Sequence, residues 1–129
     1  MGDIALVRVY DREQDVRGRR FLVERLWPRG VRRDALEMDG WLPDVGPSHE
    51  LRKWFAHDPD RWEEFRRRYA VELDEHPEAW RPLVEAVSAG DITLLYSSRD
   101  TEHNNAVALR DYLLAHRGSA SSPDQGAGC

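Results

Sequence analysis

Residues 94–105 read LLYSSRDTEHNN, and this stretch decides the fold class. It continues an apolar run, Ile92–Tyr96, that we interpret as a strand, and it then passes into the polar start of a helix predicted over residues 102–117. Open α/β sheets usually place their ligand where a strand passes into a helix. The stretch therefore predicts an α/β fold and marks a candidate binding site.

The polar side chains at this junction could hold an anion. Backbone amides at a helix start carry partial positive charge, which attracts anions. Five side chains could add contacts there: Ser97, Ser98, Arg99, His103 and Asn104. The alternative is that Asp100 or Thr101 only caps the helix and that His103 is an ordinary surface residue.

The remaining patterns predict strands separated by long helices. Residues 5–11 and 21–27 have strand character, and the short link between them leaves a hairpin possible. Residues 31–47 allow a short helical turn. Start signals at Ser48, Asp58-Pro59 and Pro77 predict three helices, and Gly118 is expected to end the last one. This order predicts a small layered α/β domain with three or four strands and flanking helices.

Composition indicates one soluble domain. The chain has 129 residues and a net charge of −5, which disfavours nucleic-acid binding through bulk charge. No apolar stretch or export signal points to a membrane, and the single cysteine, Cys129, suggests the reducing cytoplasm. We predict a domain over residues 1–118 and a disordered tail over residues 119–129.

An arginine-rich segment, residues 17–33, provides a second candidate site. Seven arginines lie there against one acid, Glu24. Arg25 and Arg29 flank a Trp-Pro step, and arginine forks recognise carboxylate or phosphate groups. The alternative is a buried Trp27 whose neighbouring arginines pair with acids.

Residues 51–59, LRKWFAHDP, carry aromatic residues that we assign to the core rather than to a ligand platform. A metal site from His57, Asp58 and His103 is conceivable, but no metal-binding spacing supports it. The chain also lacks a glycine-rich phosphate loop, a GxSxG elbow and a CxxC pair. We therefore predict neither a metal nor a cofactor.

Four ordered motifs resemble the YeaO-like proteins of the family called domain of unknown function 488. They are VRVYD (7–11), ERLWPRGV (24–31), ELRKWFAHDPDRWEEFRRRYAVEL (50–73) and TLLYSSRDTEHNNAVAL (93–109). The resemblance implies a small cytoplasmic α/β domain and transfers no reaction. The motif residues carried over are Arg8, Tyr10, Asp11, Arg25, Trp27, Pro28, Arg29, Gly30, Trp54, His57, Asp58, Arg99, Asp100, His103 and Asn104.

This chain departs from the family pattern in three places. Asn105 replaces an expected second histidine, and Pro43 replaces a usual lysine. Longer relatives carry a cysteine in the region that matches residues 96–104, and this chain has none there. The resemblance therefore implies neither paired histidines nor a thiol mechanism.

Together these patterns predict one polar pocket at the carboxyl ends of the strands. We expect it to bind a small anion, such as a phosphorylated metabolite or nucleotide, through Tyr10, Arg25, Arg29, Ser98, Arg99 and Asn104. If the protein is an enzyme, His103 is the expected acid–base group and Asp11 could orient a partner. The alternative is a non-catalytic module that binds protein or nucleic acid through residues 17–33. The sequence leaves the oligomeric state open.

Overall fold

The computed structural model describes residues 2–10 and 18–121, with side chains as far as residue 116. Asp11 and residues 122–129 of the expected tail lie outside these ranges. The strands are β1 (Ile4–Arg8), β2 (Arg19–Leu22), β3 (Gly40–Trp41) and β4 (Ile92–Tyr96). The helices are α1 (His49–Phe55), α2 (Trp62–Glu75), α3 (Pro77–Ala89) and α4 (Asn105–Ser121), with single 3-10 turns at Arg33–Ala35, Pro43–Val45 and Pro59–Arg61. The predicted α/β class is confirmed.

The four strands form one parallel sheet in the order β1-β4-β2-β3. Leu95 of β4 is in register with Val7 on one side and with Leu22 on the other. Every residue of β4 is buried, as expected for the middle of a parallel sheet. A hairpin of β1 and β2 is therefore wrong, because β4 lies between them and all the strands run in the same direction.

The helices pack on one face of the sheet. Phe21 and Leu94 point toward that face and join a large core with helix residues such as Phe65 and Leu109. Alternate strand residues point to the other face, where Val7, Val9, Leu22 and Leu95 form a smaller cluster covered by Trp27, Val31, Leu36, Met38 and Trp41. Two layers of unequal thickness result.

Local signals position α1 and α2 as the sequence predicts. The Ser48 hydroxyl accepts a hydrogen bond from the backbone N–H of Leu51, and the Asp58 carboxylate accepts one from Asp60. Phe65 and Tyr69 of α2 are buried, with Phe65 stacked on Phe55 at 4.4 Å between ring centroids. The helical spacing of Trp62, Phe65 and Tyr69 predicts that all three point inward, but Trp62 is only half-buried.

Three boundaries differ from the sequence-based prediction. β2 ends at Leu22 rather than at residue 27, because Glu24 and Arg25 turn their side chains toward neighbouring loops. α4 begins at Asn105, three residues later than expected, because Asn104 provides its cap. Gly118 does not end α4, which continues to Ser121, since a glycine inside a helix destabilises it by only about 1 kcal/mol. In the described residues no helix is long and apolar enough to cross a membrane.

Candidate functional site

A cavity of about 320 Å³ lies at the carboxyl ends of β2 and β4. Parallel strands direct their carboxyl ends to the same edge of the sheet, and this edge is where open α/β sheets bind ligands. α1 and the segment that leads into α4 complete its walls. The lining residues are Glu24, Arg25, Leu26, Pro47, His49, Arg52, Lys53, Phe55, His57, Phe65, Ser97, Ser98, His103, Asn104 and Asn105.

Glu24 is half-buried and lines the cavity. Its carboxylate accepts a hydrogen bond from the backbone N–H of Ser97 at 3.0 Å. Burial raises the pKa of Glu24, an effect that Ser97, Arg52 and His57 partly oppose. Within the described residues no cation lies within 4.0 Å of this carboxylate. From the sequence, Glu24 was named only as a possible arginine partner, because it lay inside the strand predicted over residues 21–27 rather than after its end.

Arg25 clamps the loop that precedes α1. Its Nε donates to the carbonyl of Pro47 and its Nη2 to the carbonyl of Gly46, each at 2.8 Å. The backbones of Arg25 and Gly46 approach so closely that a Cβ on Gly46 would lie 2.9 Å from the backbone nitrogen of Arg25. Arg25 thus contributes positive charge to the cavity and also fixes the shape of one wall.

His103 is held by Asp100 at the start of the α4 segment. Asp100 Oδ2 lies 3.0 Å from His103 Nδ1, and Asp100 Oδ1 accepts the backbone N–H groups of Glu102 and His103 at 2.9 Å each. The backbone hydrogen bond from Glu102 is the largest cause that lowers the pKa of Asp100. The His103 ring also meets Trp62 edge-on at 5.3 Å. With Nδ1 engaged, Nε2 is the ring nitrogen left for a ligand.

Asn104 and Ser98 line the cavity, but they also organise the backbone. Asn104 donates to the carbonyl of Asp100 at 2.7 Å and accepts from the N–H of Val107 at 3.0 Å. The Ser98 hydroxyl accepts from the N–H of Asp100 at 3.2 Å. The capping alternative therefore holds for part of this stretch, because Asn104 is the cap of α4 and Asp100 caps the turn before it.

The remaining predicted site residues lie elsewhere. The Tyr10 hydroxyl donates to the carbonyl of Arg29 at 2.7 Å, and both residues are exposed and outside the cavity lining. Arg99 is also exposed and does not line the cavity. The structure thus brings together Arg25, Ser98, His103 and Asn104, but not Tyr10, Arg29 or Arg99. Asp11 lies outside the described residues.

The rim of the cavity carries basic side chains that the sequence reasoning missed. His49, Arg52 and Lys53 lie three and four residues apart and line the cavity from one face of α1. Lys53 is the only lysine in the chain. The apolar spacing of α1 drew attention to its core face and away from this opposite, charged face.

The backbone is strained just after α1, at the cavity rim. Ala56 and His57 adopt left-handed conformations with φ of 49° and 59°. Such angles are unfavourable for residues with a Cβ, and strained residues of this kind cluster at functional sites. The turn directs the chain so that the exposed His57 lines the cavity.

The arginine-rich segment does not form one free basic surface. Arg20 pairs with Glu37 at 2.7 Å, and Arg32 pairs with Asp34 at 2.9 Å. Arg33 lies over the rings of Trp27 and Trp41, at 4.7 and 4.9 Å from their centroids. Arg17 lies outside the described residues. In the part of the chain that the structure describes, no group of three or more His, Cys, Asp or Glu side chains is placed to hold a metal ion.

Comparison with known proteins identifies the family. The family model DUF488-N3i, described as "Inactive DUF488-N3 subclade", matches residues 3–127. The chain is 39% identical over 111 residues to "Uncharacterized protein YeaO" of Escherichia coli, covering 86% of this chain and 96% of the relative. It is 34% identical over 110 residues to "Uncharacterized protein Mb3100c" of Mycobacterium bovis, covering 85% and 92% of the two chains. No solved structure is significantly similar to it.

Proposed function

We propose that this chain, which belongs to the DUF488-N3i family and is a YeaO-like protein, binds a small anionic molecule in the cavity at the carboxyl ends of β2 and β4. We further propose that it binds this molecule without transforming it. The charge of the cavity carries the first proposal. The description of the matching family and the absence of a cysteine near residues 96–104 carry the second.

The cavity is positively charged in a chain that is negatively charged. Arg25, Arg52 and Lys53 line it against a single acid, Glu24, so three positive charges and one negative charge give a net +2 with neutral histidines. The whole chain carries −5. Among the described residues neither Arg52 nor Lys53 has an ion-pair partner within 4.0 Å. Like charges that converge on a partly enclosed space favour a bound anion.

Two observations favour binding over catalysis. The matching family model is described as an inactive subclade. The family resemblance also implies a cysteine in longer relatives near residues 96–104, where this chain has none, since its only cysteine is Cys129. A histidine-dependent reaction is the second candidate function, because Asp100 orients His103 as an acid–base histidine would be oriented.

The proposed binding can be tested by thermal unfolding in phosphate or sulfate, with sodium chloride at matched ionic strength as the reference. Arg52→Ala and Lys53→Ala should each reduce the anion-dependent rise in Tm. A ligand at ten times its Kd stabilises by about 1.4 kcal/mol, which corresponds to a rise of about 4–7 °C for a domain of this size.

Two control variants make this test specific. Arg81→Ala removes an exposed arginine of α3 that is not part of the cavity lining, so the anion response should remain. Arg99→Ala should also leave it unchanged. A response lost in Arg99→Ala but kept in Arg52→Ala would contradict the assignment of the site to this cavity.

A further inference from the structure

The cavity lining places one acid among its basic side chains. Lys53, His49 and His57 are exposed and form the rim, whereas Glu24 is half-buried at the end of β2. A carboxylate has about four acceptor positions, and the hydrogen-bonding partner that the structure gives Glu24 is Ser97. Glu24 therefore retains the capacity to accept hydrogen bonds from a molecule in the cavity.

Part of the cavity wall is apolar. Phe55 and Phe65 belong to it, but they stack on each other with 28° between their ring planes and are only 6% and 2% exposed. Leu26, which is 60% exposed, therefore offers most of the apolar surface that a ligand can contact. Burial against this surface favours a ligand with an apolar face, such as a flat ring. The volume, about 320 Å³, is at the small end of the range for small-molecule sites.

Glu24 is unfavourable for a simple oxyanion. A carboxylate in the same cavity repels phosphate or sulfate and reduces the benefit of the cations. A ligand that donates N–H groups to Glu24 while its anionic group contacts Arg52 and Lys53 interacts favourably with the acid and with the basic residues. Because Glu24 repels a simple oxyanion, it also makes the cavity selective for a ligand that has N–H donors.

We infer that the ligand is a flat nitrogen heterocycle with N–H donors joined to an anionic group, the chemistry of a nucleoside monophosphate. In this arrangement the N–H donors contact Glu24, the ring contacts Leu26 and the apolar part of the wall, and the phosphate lies at the rim. The inference rests on the proposed anion binding, to which it adds the chemistry of the ligand's other end.

The test compares four ligands by calorimetric titration of the full chain: inorganic phosphate, ribose 5-phosphate, AMP and GMP. Ribose 5-phosphate has the anionic group and the sugar but no base. At least one of the two nucleotides should bind about tenfold more tightly than ribose 5-phosphate, since hydrogen bonds to a charged group contribute an effect of that size.

Glu24→Gln is the matched variant, because the glutamine oxygen can still accept the Ser97 N–H. It should weaken binding of the preferred nucleotide about tenfold and leave phosphate binding unchanged or stronger, since the repelling charge is gone. A merely structural role of Glu24 would weaken all four ligands together.

The outcomes separate the inference from the proposal beneath it. Equal affinity for ribose 5-phosphate and both nucleotides on the unmodified chain overturns the inference but leaves anion binding intact. Loss of phosphate and nucleotide binding together in Glu24→Gln also overturns it. If none of the four ligands binds the unmodified chain, the proposed function fails as well.

Discussion

Replacing Ala56 by glycine should stabilise the protein. Ala56 follows the last residue of α1 with φ of 49° and ψ of 34°, and its N–H donates to the carbonyl of Arg52. This is the position after a helix that glycine usually occupies, because a Cβ is unfavourable in the left-handed region. Ala56 is exposed, so its methyl group contributes little packing that the substitution would remove.

The expected gain follows from two opposing effects. The left-handed conformation destabilises a residue with a Cβ by about 1–2 kcal/mol, and glycine avoids this. Glycine in turn loses more conformational entropy on folding, which opposes the gain by about 0.5–1 kcal/mol. We therefore expect Ala56→Gly to raise the free energy of unfolding by about 0.5–1 kcal/mol, or the Tm by about 2–5 °C.

Urea denaturation followed by tryptophan fluorescence measures this change. Ala115→Gly is the matched control, because Ala115 is exposed inside α4, where a glycine should instead destabilise by about 1 kcal/mol. The same substitution should thus have opposite signs at the two positions. A fall in stability for Ala56→Gly would refute the argument that this turn is strained.

Three further predictions concern the core, the histidine support and the tail. Phe65→Ala should destabilise by about 3–5 kcal/mol in urea denaturation, because Phe65 is 2% exposed. Trp62→Ala should destabilise less, because Trp62 is only half-buried, and the reverse order would contradict the packing. Asp100→Asn should destabilise by about 1 kcal/mol at pH 7, since an uncharged amide oxygen accepts more weakly than a carboxylate from the backbone N–H groups of Glu102 and His103. The lowered pKa of Asp100 means that its contribution to stability is complete above the unfolded pKa of about 4 and is lost as the pH falls through the folded pKa. A difference in stability between wild type and variant that remains undiminished below the folded pKa would be inconsistent with this account. Truncation after residue 121 should leave the Tm unchanged, because the sequence beyond it has little apolar content, and a large fall in Tm would disprove this.

The helices could be read from the sequence because their signals are local. Ser48 and Asp58 cap the turns that follow them, and Phe65 and Tyr69 recur at helical spacing on a face that is buried. β4 could also be predicted from the sequence, since the five apolar or β-branched residues Ile92–Tyr96 are followed by the polar pair Ser97 and Ser98. Each of these signals depends on residues close together in the chain, so tertiary contacts did not alter them.

The sheet order could not be read in this way. β3 has only two residues, too few to show a period, and it exists because Phe21 and Leu22 of β2 are available to pair with it. The position of β4 between β1 and β2 depends on contacts across some 70–90 residues. Neither feature leaves a local trace in the sequence.

The candidate site was predicted in part, for a related reason. His103 was identified from the junction between strand and helix and Arg25 from the Trp-Pro step that it flanks, and the structure brings both to one cavity. Arg99, adjacent in the chain to Ser98, is exposed and does not line the cavity. Glu24, Arg52 and Lys53 were missed as lining residues because their placement depends on how α1 packs beside the ends of β2 and β4.

The most direct measurement of anion binding in the cavity is the acylation rate of Lys53. Lys53 is the only lysine, so an amine-acylating reagent has one side-chain target, which peptide mapping distinguishes from the α-amino group. Phosphate should slow the acylation of Lys53 several-fold relative to sodium chloride of equal ionic strength, while the α-amino group reacts at an unchanged rate. Equal rates of Lys53 acylation in saturating phosphate and in sodium chloride would contradict the assignment of an anion to this rim.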